Sequence, residues 1–317
     1  MLSPHTPPQD SCRSDSKSAT PHMSAPSVDA ALESIEASYD VRIVAARDVG
    51  SRAWNLADAD SDRDVAVVYA QRPLEYASLD GYEPSLEWTD GELDCRGWNV
   101  RRFAELLVDS NPTAFEFLHS PRRYREFGPL ARLEADVGDS FAPLALYHHY
   151  RSLARRQYRK YLQGRLLEGG ELAYLVLEER DDEYLARPVD GDRDDAERIP
   201  VGAYEEGQTD RTVKRHLYVA RGVCYARYVR ETHRFPTLDF PRFLEAEGDR
   251  FEPSFVDRTR DLVERKRRGE GDAVVGRLFD PAEVRLPELE PADHAGRRVD
   301  RTRVDAFLRE TLEVAVG

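Results

Sequence analysis

The chain has 317 residues, enough for more than one hydrophobic core. Forty per cent are apolar at a mean hydropathy of −0.65, and no apolar run approaches the roughly 20 residues that span a bilayer or sits near the start as a secretion signal, which excludes a helical membrane protein and points to the cytoplasm. Sixty acidic against 46 basic residues give a net charge of −14 with four lysines only, Lys17, Lys160, Lys214 and Lys266. Such a surface suits concentrated salt, where ions screen self-repulsion, so the acidic total does not exclude a polyanion held on a local arginine-rich face.

Residues 1–26 are rich in Ser, Pro and Thr without hydrophobic periodicity and read as a disordered leader, with Met23 as an alternative start. Cys12, Cys95 and Cys224 are widely spaced, with no CxxC pair, and read as free thiols. From Ser27, an N-cap residue, Val28, Leu32, Ile35 and Tyr39 recur at helical spacing, and Val41 to Ala46 follows as a strand. A turn holds Gly50 and Ser51, and the β-branched run Asp64 to Tyr69 predicts a second, buried strand. Short strands at Leu86 to Trp88 and Leu93 to Cys95 flank the hairpin dipeptide Asp90-Gly91. A helix is expected from Trp98 to Val108, broken at Asn111-Pro112 before another through Phe115 and Leu118. Phe141 to Leu162, Thr212 to Thr232, Pro253 to Arg268 and Arg301 to Val314 all carry helical spacing, and the acidic stretch Asp181 to Asp195 reads as an exposed loop.

The fold expected is an α/β (α+β) unit with a small mixed sheet at 27–140, followed by a mostly α-helical domain at 141–317 with an acidic loop near 181–195.

The chemistry is concentrated in Gly50 to Asp64. Residues i and i+2 of a strand point to one side, so Asp62 and Asp64 project together and could share divalent cations. Mg²⁺, or Mn²⁺, prefers carboxylate oxygens with substrate phosphate oxygens and water. The Gly50-Ser51 turn would let backbone N–H groups and the Ser hydroxyl face a triphosphate, with Arg52 adding charge. A third carboxylate, from a neighbouring strand, would help deprotonate an incoming hydroxyl, and Asp94 is the choice. Alone, the Asp pair would read as a solvated turn in an acidic chain. The Gly-Ser step before it and the apolar β run after it lift it above that reading.

Gly50 to Tyr69, GSRAWNLADADSDRDVAVVY, resembles the signature of DNA polymerase beta superfamily nucleotidyltransferases, in particular the YcgL-type, RNA-repair-associated polymerase-beta-like group. The resemblance continues through Leu93 to Pro121, with an Asp, a Gly-Trp pair and an Asn-Pro break, and more weakly into Tyr147 to Leu162 and Val213 to Arg230. It implies that Asp62, Asp64 and Asp94 are a catalytic, metal-binding triad and that Gly50 and Ser51 lie at the nucleotide phosphates. Asn55 departs from the family's usual Gly, although Asn tolerates the left-handed conformation better than most residues.

Lys214 and Tyr218, on one helical face with Arg215 and Arg221, and the series Arg151, Arg155, Arg156, Arg159 and Lys160 read first as amphipathic surface. Their functional alternative is to line the cleft opposite the aspartates and hold a triphosphate or an RNA backbone, and Lys214 is singled out by the scarcity of lysine. Adjacent His148 and His149 point about 100° apart on a helix and make a poor chelate. The function implied is transfer of a nucleoside monophosphate from an NTP to a hydroxyl, on an RNA 3′ end (tRNA among them), a protein or a small molecule, with release of pyrophosphate. An inactive nucleotide- or RNA-binding module and a toxin or defence nucleotidyltransferase are the competing readings. Nothing in the sequence speaks to the oligomeric state.

Overall fold

The computed structural model describes residues 27–59, 61–79, 81–90, 93–290 and 298–314. The leader with Met23 and Cys12, and Gly91 of the expected hairpin turn, lie outside the described residues.

Helix α1 (Val28–Tyr39) opens as its sequence dictates, the Ser27 hydroxyl accepting from the Ala30 N–H at 3.2 Å. It leads into β1 (Arg42–Asp48), the single turn α2 (Gly50–Ala53), β2 (Arg63–Ala70), β3 (Ser85–Asp90) and β4 (Leu93–Asn99). Helices α3 (Val100–Val108) and α4 (Pro112–His119), the short β5 (Arg123–Arg125) and α5 (Gly128–Val137) complete the first half. The first sheet has the order β3-β4-β2-β1-β5. It is mixed, because β2 and β4 run parallel while the remaining pairs are antiparallel.

Strand β2 is central and buried on both faces, and its alternation sorts two cores. Val65, Val67 and Tyr69 pack with Leu32 and Ile35 of α1, whereas Ala66 and Val68 face Phe103, Phe115 and Phe117 of α3 and α4. The second of these cores does not stop at the sheet. It runs on through α6 (Pro143–Gln157), α7 (Val213–Thr232), α8 (Phe240–Glu247) and α9 (Pro253–Arg267), and reaches α10 (Arg301–Val314).

Two local expectations need correction. Trp98 does not open a helix: it lies in β4 opposite Val68 of β2, and Asn99 caps α3 by accepting from the Arg101 N–H at 3.0 Å. A cap residue needs an extended backbone, so the helix starts after it. The acidic stretch at 181–195 is not one loop. It contains β8 (Glu183–Pro188) of a second, antiparallel sheet ordered β10-β6-β7-β8-β9, built from β6 (Arg165–Glu168), β7 (Glu171–Glu179), β8, β9 (Glu197–Pro200) and β10 (Glu205–Glu206). Gly169 and Gly170, at φ +60° and +84°, form the turn that joins β6 to β7, a conformation that two-residue hairpins demand. Among the described residues, no helix is long and apolar enough to cross a membrane.

Candidate active site

Asp64 shares its parity on β2 with Ala66 and Val68, which turns it toward the helical side of the sheet. Asp62, two residues earlier, has the same parity. Asp94 is the partner of Asp64 in the parallel β2–β4 register, so it projects from the neighbouring strand on the same side. The Val49 N–H donates to the Asp64 carbonyl at 2.9 Å and fixes the Gly50-Ser51 turn against the first residues of β2. Glycine suits this position: its φ is +64°, a conformation strained for a side chain, and a Cβ there would stand 2.6 Å from Asp64 Oδ2, which would have to move.

Ser51, Asp62 and Asp64 line a cleft of about 250 Å³ together with Lys214 and Tyr218 from the first turns of α7. Five of the eight residues chosen from sequence therefore meet in one place. Gly50 abuts Asp64, and Asp94 is the next strand's neighbour. Arg52 does otherwise, donating through Nη2 to the Ser61 carbonyl at 3.1 Å and bracing the loop between the turn and β2. The wider arginine set disperses. Arg221 is buried beneath the cleft, 4% exposed, paired with Glu116 at 3.0 Å and stacked 3.6 Å over the Trp54 ring, which meets Tyr218 in a T-shaped contact at 5.9 Å. Glu116 also accepts from Tyr150 Oη at 3.0 Å and from Trp54 Nε1 at 3.3 Å. This network packs the turn of α2 onto α4, α6 and α7.

The electrostatics are those of crowded acids facing a cation. Burial raises the Asp64 carboxyl above its usual value, the charges of Asp62 and Asp94 raise it further, and Arg96 and Lys214 oppose them. Tyr218 is raised first by burial, with Asp64 and Asp62 adding to the effect and Arg221 and Arg215 opposing it. Among the described residues, no three carboxylate, imidazole or thiolate side chains close on one point as a ready-made cage.

The far wall holds residues that sequence reasoning missed. Lys266 of α9, 7% exposed, pairs with Asp58 and lies 3.2 Å from Ser61 Oγ. Burial alone would raise the Asp58 carboxyl, but the hydrogen bonds from Lys266 and Ser61 and the Lys266 charge outweigh it and hold the group below its usual value. Gly269, Gly271 and Asp272 complete the rim, and the Lys214 and Val213 N–H groups donate to Gly271 and Ala273, tying this loop to the start of α7. The available signal was the one that singled out Lys214: of four lysines, two line this cleft.

Asn55 adopts φ +56° and donates through Nδ2 to Asp239 at 3.1 Å, so the left-handed position is occupied by an Asn with a partner of its own. Cys95 and Cys224 are buried free thiols, and His149 is held below its usual range by burial.

The profile of a family described as "RNA repair pathway DNA polymerase beta family" matches residues 25–310. The "Uncharacterized protein YcgL" of Bacillus subtilis (strain 168) is 28% identical over 241 residues, covering 75% of this chain and 75% of that protein.

Proposed function

The chain belongs to the RNA repair pathway DNA polymerase beta family, and from that premise we propose that it is a nucleotidyltransferase that moves a nucleoside monophosphate from an NTP to a hydroxyl at an RNA end. The observation that carries the proposal is the joint arrangement of Asp62, Asp64 and in-register Asp94 on one side of the sheet, facing Lys214 and Tyr218 across a cleft.

The donor set fits a divalent cation, Mg²⁺ or Mn²⁺. Asp64 is raised partly by two like charges, and a bound cation relieves that repulsion. An open set of carboxylates also suits Mg²⁺, which keeps waters and substrate phosphate oxygens in its shell. Asp62 and Asp64 would hold the ion, with Asp94 joining from β4. When bound, it neutralises charge on the transferring phosphoryl group and on the leaving pyrophosphate.

The protein's own residues supply the rest. Ser51 and the Gly50 backbone border the triphosphate, and Lys214 balances its charge from the opposite wall. Tyr218 offers an aromatic face for the base. Asp94 accepts the proton of the acceptor hydroxyl as its oxygen bonds to the α-phosphorus, and the bond from that phosphorus to the bridging oxygen of pyrophosphate breaks. Lys266, neutralised by Asp58, positions the loop that carries Ser61 and Asp62. The acidic, lysine-poor composition further supports a protein that works in concentrated salt.

Purified protein incubated in high salt with α-labelled NTPs, Mg²⁺ or Mn²⁺ and total RNA is expected to label RNA, and the Asp62→Ala/Asp64→Ala variant to leave it unlabelled. No label from the wild type, or equal label from the variant, overturns the proposal.

A further inference from the structure

The arginines of α6 do not join the aspartate cleft but line a groove of their own. Arg151, Arg155 and Arg159 recur every fourth residue, about 6 Å apart along the helix axis. Two cavities adjoin there, of about 470 and 560 Å³, and both are lined by Arg155, Arg159, Pro281 and Arg285. Arg151 extends the first, and Arg187 of β8 extends the second. In a chain of net charge −14 this is a concentration of cations, set against Glu288, which pairs with Arg151 at 3.2 Å, and against Glu178 and Asp280 on the same walls. No hydrogen bond or ion pair engages the guanidinium groups of Arg155, Arg159 and Arg285 among the described residues. Burial, and then the charges of Arg155 and Arg187, pull the Arg159 guanidinium below its usual value.

A second observation is independent of the charge. Tyr158 lines the groove at 4% exposure, and its hydroxyl is buried with no hydrogen-bond partner. It also begins the π-helical turn Tyr158–Leu162 that ends α6, an irregularity that helices keep mostly at functional positions.

We propose that this groove holds the phosphate backbone of a single-stranded RNA, the strand that receives the nucleotide. Guanidinium forks pair with phosphate oxygens two at a time, and a row of them along a helix follows a strand of successive phosphates rather than a single triphosphate. Leu177 and Leu185 give the second cavity an apolar side that base faces can cover. The proposal deepens the nucleotidyltransferase reading by assigning the acceptor's place, and it rests on that reading only for the word acceptor.

Fluorescence anisotropy with a short fluorescein-labelled single-stranded RNA tests it, over a KCl series in which circular dichroism reports folded protein. Wild type is expected to bind, and Arg155→Gln/Arg159→Gln/Arg285→Gln to bind roughly 10-fold or more weakly. Its slope of log affinity against log salt should be about 2 shallower, since each single-strand phosphate contact contributes about 0.7. Arg72→Gln/Arg303→Gln, which opens exposed pairs elsewhere, should match wild type. Wild type that grips RNA here yet labels none of it sinks the nucleotidyltransferase reading and leaves this one standing. No RNA binding by wild type, unchanged binding by the triple variant, or displacement of RNA by polyglutamate as readily as by unlabelled RNA overturns it.

Discussion

Asp64 is held above the ordinary carboxylate value of 3.8 by burial first and by Asp62 and Asp94 second. A carboxyl raised in the folded state costs folding free energy once the pH exceeds its unfolded value, and costs nothing below it. Asp64→Asn is therefore expected to raise the Tm at pH 7, to lose that advantage in acid below 3.8, and to abolish nucleotidyl transfer at every pH. A Tm lowered at pH 7 would show that the carboxylate is a net structural asset instead. This residue was legible in sequence because its signal is local: an i, i+2 pair at the mouth of an apolar β run fixes its own parity. Lys266 was not, because its partner Asp58 lies 208 positions away and no local pattern links them. Arg52 marks the opposite failure, since proximity in sequence to the turn says nothing of direction, and its guanidinium turns to the Ser61 carbonyl.

Among the elements, α7 and the loop after α9 act together. The backbone bonds from Val213 and Lys214 to Ala273 and Gly271 seat the loop, and the Lys266–Asp58 pair, 9% exposed on each side chain, fastens it to the segment before β2. Breaking a buried pair by removing one partner leaves an uncompensated charge. Lys266→Met is expected to cost about 3 to 5 kcal/mol in urea unfolding, whereas Asp58→Asn/Lys266→Met should cost clearly less than the two single changes summed. Additivity within about 0.5 kcal/mol would mean that the pair is not coupled. Helices with strong caps and periodicity were readable at this scale, α1 from Ser27 and α4 from Asn111-Pro112. The second sheet was not: its Gly169-Gly170 turn carries a hairpin signal, but the strands around it are half-exposed and mix charged with apolar side chains, which blurs their alternation.

For the whole molecule, the core beneath β2 is continuous from Val44 and Val68 of the first sheet to Phe255 and Leu262 of α9. The Arg221–Glu116 pair and the Tyr150–Glu116 bond cross it where the first and second halves of the chain meet. A core shared in this way has no seam at which one half can unfold alone. Scanning calorimetry is expected to show the first sheet and helices α6 to α9 melting in one transition. Two resolved transitions, with near-ultraviolet circular dichroism lost in separate steps, would contradict this. Sequence could place the halves but not their joint, since a buried Arg-Glu pair 105 residues apart reads as two ordinary surface charges.

Trp54, with Arg221 over its ring and Tyr218 in a T-shaped contact with it, also gives the chain a built-in optical probe. Of three tryptophans, Trp98 is packed among Phe103 and Phe117, whereas Trp54 shares an edge with a tyrosine that lines the aspartate cleft. Its indole thus sits at the one place where the contents of the cleft and the seating of the two halves can both be read as light emitted by the unmodified protein.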